Sequence, residues 1–368
     1  MTGRVLVWQW GRFGAGPRIA VLLAGGLEAL PGVQSVLSLS RAAELLDGGR
    51  NLRCELPVET YAGVAGLAWR LVQTPLHVRR LVRRLRDLAP SAALCAMPSP
   101  LDLLMVAALR RLGVPIAVIV HDAAAHPGDR IPLLHGLQRA LLRRADLVVA
   151  LSGHVASQLR AGGLLPTHTP LLVRALPSLA FGAVAPPADR EGPRRLLCFG
   201  RLRAYKGLDL LGDSLRRLGG RSDYEVRIVG QGPESAALAA LRASPHVTVE
   251  NRWVPEDEIG ALLDWCDVVV LPYREASQSG IAPSALAAGR QVLATRVGGL
   301  VEQLEGSPLA TLCDPDAASL AAALRGMLER PRDLVAPGDD ARQAWRAFAA
   351  DLLTAIEPLS AARASRVG

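Results

Sequence analysis

The stretch from Leu196 to Leu208, LLCFGRLRAYKGL, combines groups that can hold a diphosphate. An apolar run ends at Gly200, and two cations, Arg201 and Lys206, follow. A buried strand would deliver these cations to the carboxyl edge of a sheet, and the glycine would let a ligand approach the backbone. The same residues could also form an ordinary solvated turn, because short motifs of this kind occur by chance. The stretch alone leaves both interpretations open.

The composition narrows the class of protein. A chain of 368 residues with 50% apolar residues predicts two domains with large cores. The 42 Lys and Arg against 34 Asp and Glu give a net charge of +8, which favours an anionic partner. Aromatic residues make up only 4% and no nucleic-acid-binding motif is present, so we expect no nucleic acid. The five scattered cysteines favour buried thiols in a reducing cytosol over disulfides or a metal site.

Continuous apolar runs alternate with helical patterns in both halves of the chain, which indicates parallel sheets covered by helices. The predicted strands lie at 4–8, 33–39, 92–96, 115–120, 146–150, 195–199, 225–229, 247–250, 267–272, 291–295 and 310–313. Pro233 is expected in the first turn of a helix. No apolar run approaches the roughly 20 residues that span a bilayer, and no secretion signal is visible, so we expect a cytoplasmic protein.

The elements predict an α/β protein with two Rossmann-like domains whose parallel sheets face each other across a cleft. The expected domains are residues 1–180 and residues 190–335, joined by a proline-containing linker near 176–194. We expect residues 336–368 to form a helical tail that packs on a domain surface. In the first domain, a glycine-rich loop after the first strand contains Gly14 and Gly16, and the strand at 115–120 runs into His121 and Asp122.

Residues 72–88 form a basic amphipathic pattern with apolar residues at helical spacing. The remaining positions hold five arginines, namely Arg79, Arg80, Arg83, Arg84 and Arg86. One interpretation is that residues 76–88 dock on an anionic membrane surface. The other is a packed surface helix whose arginines are solvated, and the sequence leaves both open.

The ordered set of motifs resembles the retaining, family-4-like glycosyltransferases of the GT-B fold. The similar segments are residues 118–129, 143–152, 199–211, 228–234, 253–273, 279–295 and 297–302. The resemblance covers roughly residues 115–305 and only loosely the first hundred residues. The family usually has two glutamates around the Ser279-Gly280 element. Here Ser284 occupies the second glutamate position, and the first falls near Ser277.

The resemblance implies a role for each matching residue. Arg201 and Lys206 would stabilise the donor diphosphate as the bond to the sugar breaks. His121 would form a hydrogen bond with the donor sugar; the alternative is that His121 is a histidine of the core. Further donor-binding residues would be Gly200, Glu250, Asn251, Arg252, Gln278, Ser279, Gly280, Ile281 and Ser284. Gly14, Gly16 and Asp122 would form an acceptor-side loop.

The resemblance also implies an activity. The chain would transfer a sugar, with retention, from a nucleotide-diphosphate sugar to a hydroxyl of a glycan or lipid-linked glycan in polysaccharide biosynthesis. No metal and no resident cofactor are expected, because cations already occupy the phosphate-binding role. The expected location is cytoplasmic, peripheral to the inner face of the plasma membrane if residues 76–88 bind lipid. The alternatives are a nucleotide-sugar epimerase on the same fold and a non-catalytic nucleotide-sugar-binding protein.

Overall fold

Each of the two units of the chain is built on its own six-stranded parallel sheet. The computed structural model describes residues 3–47, 52–61, 63, 66–67, 70, 73–123, 132–179, 181, 184–187, 191–332 and 341–367. The first unit contains the described residues within 1–124, 131–177 and 342–368, and the second contains those within 178–341. The expected α/β class and the two parallel sheets are confirmed.

The first sheet has the strand order β2-β1-β3-β4-β5-β6. Its strands are β1 (Gly3–Gln9), β2 (Val33–Leu39), β3 (Ala92–Cys95), β4 (Ile116–Val120), β5 (Leu147–Ala150) and β6 (Leu171–Val173). The helices of this unit are α1 (Ala15–Glu28), α2 (Glu44–Asp47), α3 (Thr74–Leu88), α4 (Asp102–Arg111), α5 (Pro132–Leu142), α6 (Gly153–Ala161) and the C-terminal α13 (Ala341–Val367). All five residues of β4 are buried, as expected for a central parallel strand covered on both faces.

The second sheet has the order β12-β11-β10-β7-β8-β9. Its strands are β7 (Arg194–Phe199), β8 (Tyr224–Gly230), β9 (Val247–Asn251), β10 (Val268–Leu271), β11 (Gln291–Thr295) and β12 (Ala310–Cys313). Its helices are α7 (Leu208–Arg217), α8 (Ala236–Arg242), α9 (Glu256–Trp265), α10 (Ile281–Ala287), α11 (Gly299–Leu304) and α12 (Ala317–Glu329), with a short 3₁₀ turn at Ala204–Lys206. The carboxyl ends of neighbouring strands meet at one edge of the sheet, so β10, β7, β8 and β9 bring the loops that follow them together.

The C-terminal helix α13 packs on the first unit. The Trp345 and Phe348 side chains are buried, with ring centroids 5.6 Å apart in an edge-to-face arrangement. The carbonyl of Trp345 lies so close to Gly26 of α1 that any side chain at Gly26 would collide with it. The expected tail begins at 336, and residues 336–340 lie outside the described residues.

Two local features differ from the expectations. The prediction that Pro233 opens a helix is wrong, because α8 begins at Ala236 and the Ser235 hydroxyl caps it by accepting the N–H of Leu238. The short edge strand β6 was not predicted. It has three residues and follows Pro170, so it is too short to show a periodic pattern.

Candidate functional site

The cations of the first motif lie on one loop, residues 200–206, which we call the cationic loop. It follows β7 at the carboxyl edge of the second sheet. The N–H of Gly200 donates to the carbonyl of Val229 at 3.1 Å, and the N–H of Leu202 donates to the carbonyl of Gln231 at 2.9 Å. These bonds continue the pairing of β7 with β8 beyond the strand and hold the start of the loop.

Glycines on neighbouring strands allow the cationic loop to pack closely on both sides. A side chain at Gly230 would collide with the carbonyl of Gly200, and one at Gly232 would collide with the carbonyl of Leu202. On the other side, a side chain at Gly207 would collide with the carbonyl of Pro272. Gly207 also has φ = 66°, a left-handed conformation that favours glycine. The loop is therefore fixed between the ends of β8 and β10.

Both cations contact buried tyrosines. The guanidinium of Arg201, which is exposed, donates to the Tyr205 hydroxyl at 3.0 Å. The ammonium of Lys206 lies 3.6 Å from the centroid of the Tyr273 ring and 5.3 Å from that of Tyr205. A cation over an aromatic face is attracted by the negative face of the ring. The aromatic rings therefore help to fix the direction of both positive charges.

The two tyrosines were not identified from the sequence as site residues. Tyr205 and Tyr273 are 6% and 2% exposed, and burial raises the pKa of the Tyr273 phenol, which keeps it neutral. The available signal was their position, since Tyr205 directly precedes Lys206 and Tyr273 follows β10 closely.

The segment after β10 brings Gln278, Ser279, Gly280 and Ile281 to the same edge of the sheet. The backbone N–H of Ser279 donates to the side-chain oxygen of Gln303 at 2.7 Å, and the amide of Gln303 donates back to the Ser279 carbonyl at 3.2 Å. Gly280 immediately precedes α10, which begins at Ile281. Gln303, which the sequence did not indicate, thus anchors the start of this segment.

The Ser284 side chain is surrounded by backbone groups. Its side chain is buried, and its hydroxyl accepts the N–H of Leu179 at 3.0 Å. The same oxygen lies 3.0 Å from the Leu179 carbonyl and 3.1 Å from the Gly280 carbonyl, to which its single proton can be donated. The hydroxyl at the position of the usual glutamate is therefore engaged by the backbone, and its assignment to the donor stays a prediction.

Glu250, Asn251 and Arg252 lie at the end of β9. The Glu250 carboxylate pairs with Arg227 and with Arg252, and these hydrogen bonds hold its pKa below the usual range. The Asn251 side chain accepts the N–H of Gly232 at 3.0 Å and donates to its carbonyl at 3.1 Å. Asn251 therefore fixes the turn that packs against the cationic loop, and its amide is committed to that turn.

The remaining candidates lie on the first unit. His121 directly follows β4 and is 4% exposed, with its Nε2 atom 3.3 Å from the Ala96 carbonyl. Burial lowers the pKa of His121, so the ring is neutral at pH 7. Asp122 is half-buried, and its carbonyl accepts a hydrogen bond from Gln138 at 2.7 Å. Residues 124–129 of the motif around His121 lie outside the described residues.

The glycine-rich loop after β1 is shaped by a buried glutamine. Gln9 is 4% exposed and its side-chain oxygen accepts the N–H of Gly11 at 2.9 Å. A side chain at Gly16 would collide with Gln9, whereas one at Gly14 would meet open space. Gly16 therefore packs closely against Gln9, whereas Gly14 lies on the open side of the loop, and the role of both glycines in an acceptor-side loop stays a prediction.

Within the described ranges, no group of three or more His, Cys, Asp or Glu side chains is arranged to hold a metal ion. No helix in that part of the chain combines the length and apolar character needed to cross a bilayer.

Comparisons with known proteins agree with the two-unit architecture. The family model of glycosyl transferases group 1 matches residues 193–330, and that of Glycosyltransferase Family 4 matches residues 19–169. The 2-deoxystreptamine glucosyltransferase of Streptomyces kanamyceticus is 29% identical over 62% of this chain and 65% of its own length. The chain spans 55 to 65% of the length of the first curated relatives that it matches.

Solved structures share the fold. Sucrose-phosphate synthase from Thermosynechococcus elongatus has a TM-score of 0.69 at 17% identity, covering 98% of this chain and 100% of that one. HepE of Anabaena, solved in complex with UDP and glucose, has a TM-score of 0.68 at 16% identity over 99% of this chain and 100% of that one. With family models matching both units and these structures sharing its architecture, the chain belongs to the family-4-like glycosyltransferases of the GT-B fold.

Proposed function

We propose that the protein transfers a sugar from a nucleotide-diphosphate sugar to a hydroxyl of a glycan or lipid-linked glycan, with retention of anomeric configuration, in polysaccharide biosynthesis. The observation that carries the proposal is the cationic loop. It holds Arg201 and Lys206 at the carboxyl edge of a parallel sheet, each oriented by a buried tyrosine. A side chain at Gly200 would meet only open space, so a ligand can approach the backbone there.

The reaction places its growing charge on the leaving diphosphate. When the bond between the anomeric carbon and the phosphate oxygen breaks, the oxygen keeps the electron pair. The acceptor hydroxyl then bonds to the same face of the anomeric carbon, and its proton passes to a phosphate oxygen. Arg201 and Lys206 would stabilise the diphosphate most strongly in the transition state, which raises the rate. Because two cations neutralise the phosphates, we expect activity without an added divalent metal.

The other carried-over residues complete the proposal. Gln278, Ser279, Gly280 and Ile281 would contact the phosphates and the sugar, and the end of β9 with Glu250 and Arg252 would lie near the base. His121, being neutral, can donate or accept a hydrogen bond with a sugar hydroxyl. We also propose that α3 contacts anionic lipid, which suits a lipid-linked acceptor.

The test is a transfer assay with chelator present, using a panel of nucleotide-sugars and wild-type, Arg201→Ala and Lys206→Ala proteins. Each substitution should cost about 2–4 kcal/mol of barrier, roughly a 30- to 900-fold loss of kcat, with melting temperature unchanged. Arg217→Ala is the matched control, since Arg217 is an exposed arginine of the same unit at the end of α7. Wild-type turnover in both site variants would remove the diphosphate role of the loop.

The same assay separates the alternatives. An epimerase would interconvert the free nucleotide-sugar without any acceptor. A non-catalytic binding protein would show a thermal shift with a nucleotide-sugar, since ligand binding stabilises the folded state, and no turnover with any acceptor.

A further inference from the structure

A small open cavity of about 210 Å³ lies on the first unit. Its lining residues are Arg12, Arg41, Ala42, Glu59, Thr60 and Tyr61. Arg12 follows β1 and Arg41 follows β2, so the cavity lies beyond the carboxyl ends of two neighbouring parallel strands. Ligands of α/β proteins bind at this edge of the sheet. The cavity is below the roughly 300–1,000 Å³ of pockets that enclose a drug-sized molecule, so it suits one charged group of a larger ligand.

The charge of this cavity is positive. Glu59 is its acidic side chain, and it pairs with Arg70 at 3.0 Å, outside the lining set. Within the described part of the chain, the Arg12 Nε–H is buried and has no acceptor, and the guanidinium lies over the exposed Phe13 ring, 5.4 Å from its centroid. Arg41 is exposed at the mouth. Two arginines thus line the cavity, and the buried Nε–H of Arg12 is available as a donor.

Backbone hydrogen bonds hold the frame of the cavity. The carbonyl of Arg12 accepts the N–H of Glu44 at 2.9 Å, and the N–H of Arg41 donates to the Val58 carbonyl at 2.9 Å. The Thr60 hydroxyl bonds the Ser40 hydroxyl at 2.8 Å. The backbone of both arginines is therefore held in place by hydrogen bonds. This lowers the entropic cost of ordering their side chains around a ligand.

We propose that Arg12 and Arg41 bind a phosphate group of the acceptor, so that the acceptor is a phosphate ester. The planar forks of two arginines match the oxygens and the double negative charge of a phosphate. Tyr61 also lines the cavity. The assignment of this phosphate to the acceptor rests on the proposed function. The binding of phosphate by the cavity does not depend on it.

The first experiment measures binding without turnover. Phenyl phosphate and benzoate are titrated into the wild-type protein and into R12Q/R41Q by calorimetry. Phenyl phosphate should bind more tightly than benzoate, and the double variant should lose about tenfold or more of that affinity. R111Q is the control, because Arg111 is an exposed arginine of the same unit that does not line the cavity. The single variant R41Q, at an exposed position, should show a partial loss and guards against misfolding of the double variant.

K206A separates this cavity from the cationic loop. The phenyl phosphate affinity that R12Q/R41Q loses should persist in K206A if the cavity is the site. Loss of binding in K206A, equal affinity in R12Q/R41Q, or tighter binding of benzoate would overturn the proposal.

The second experiment uses turnover. With a phosphorylated acceptor, R12Q/R41Q should raise the acceptor KM about tenfold and leave the nucleotide-sugar KM unchanged, and a dephosphorylated acceptor should not distinguish the two proteins. A protein that binds phenyl phosphate through these arginines but transfers no sugar would defeat the proposed function and leave the phosphate site in place.

Discussion

The ammonium of Lys206 lies 3.6 Å from the centroid of the Tyr273 ring. The two residues come from loops after neighbouring strands, β7 and β10, which pair in the sheet. The close approach of Gly207 to Pro272, the residue before Tyr273, brings these loops together. The position of the lysine charge is therefore set by the packing of two strand ends rather than by the lysine's own loop alone.

Tyr273→Leu should lower kcat for glycosyl transfer by roughly 5- to 30-fold, because a buried cation–π contact contributes about 1–2 kcal/mol. Tyr273→Phe keeps the ring face and should retain kcat within about twofold. The measurement is kcat and KM for the nucleotide-sugar together with the melting temperature of each variant. Equal kcat in the two variants would show that the ring does not position Lys206.

Ser284→Ala should reduce the free energy of unfolding by about 1–3 kcal/mol, because the buried N–H of Leu179 loses its partner. Ser284→Glu should destabilise further by placing a carboxylate in the same buried position. Ser214→Ala is the control, since the Ser214 hydroxyl only donates within its own helix to the Leu211 carbonyl. Denaturant unfolding measures all three.

An opposite result for Ser284 would be informative. If Ser284→Glu keeps wild-type stability and sharpens the preference for a nucleotide over its 2′,3′-dideoxy analogue, position 284 faces the ribose of the donor.

The buried carboxyl group of Asp102 should make the stability of the protein depend on pH. Burial raises its pKa from 3.8 to about 6, although Trp8 and Ser99 donate hydrogen bonds to it. Between these two pKa values the folded state binds more protons than the unfolded state. The contribution of Asp102 to the free energy of unfolding therefore falls as the pH rises from about 4 to 6, and it is constant above pH 6. The whole change amounts to roughly 3 kcal/mol.

Asp102→Asn should remove this contribution. The free energy of unfolding of each protein is measured by denaturant titration from pH 4 to 8. The value for Asp102→Asn should rise relative to that of the wild-type protein as the pH rises. Asp87→Asn is the control, because Asp87 is an exposed acid of the same unit. Parallel pH curves for the wild-type and Asp102→Asn proteins would show that the buried carboxyl does not titrate in this range.

The helix α3 should bind vesicles that contain anionic lipid and not neutral ones. Val78, Leu81, Val82 and Leu85 are buried, whereas all five arginines of the helix are exposed and Leu76 is 47% exposed near its start. Each arginine near an anionic surface contributes about 1 kcal/mol, and salt should weaken binding as the Debye length falls from about 10 Å at 0.1 M to about 3 Å at 1 M. Cosedimentation measures the effect.

Removing the charge of α3 should abolish this cosedimentation and preserve activity on a short soluble acceptor. The variant carries glutamine at Arg79, Arg80, Arg83 and Arg84. A control variant of equal net charge carries glutamine at four exposed arginines of the second unit, namely Arg216, Arg217, Arg242 and Arg325. Equal loss of binding in both variants would show a general charge effect and leave α3 as a solvated surface helix.

The sequence alone predicted the two parallel sheets because central strands such as β4 are buried on both faces and leave a continuous apolar run. The cap of α6 is also encoded locally, since the Ser152 hydroxyl accepts the N–H of Val155 at 3.1 Å. These features are local, and local periodicity and capping chemistry encode them.

The relationships that sequence could not predict join residues that are far apart in the chain. The Ser284 hydroxyl bonds to Leu179, and Arg12 and Arg41 meet at one cavity because β1 and β2 pair in parallel. Lys206 and Tyr273 meet for the same kind of reason. Strand order and loop packing decide such pairs, and neither leaves a periodic signal in a single segment.

The collisions that side chains would make at Gly207, Gly230 and Gly232 limit how this protein can be recombined with its relatives. The cationic loop cannot be transferred to another protein alone, because it packs closely against residues at the ends of two other strands. In a chimera that exchanges residues 199–207 alone, the new loop would pack against residues that fit the original loop. An exchange of the cationic loop between relatives should therefore graft the three segments around residues 199–207, 230–232 and 272–273 together.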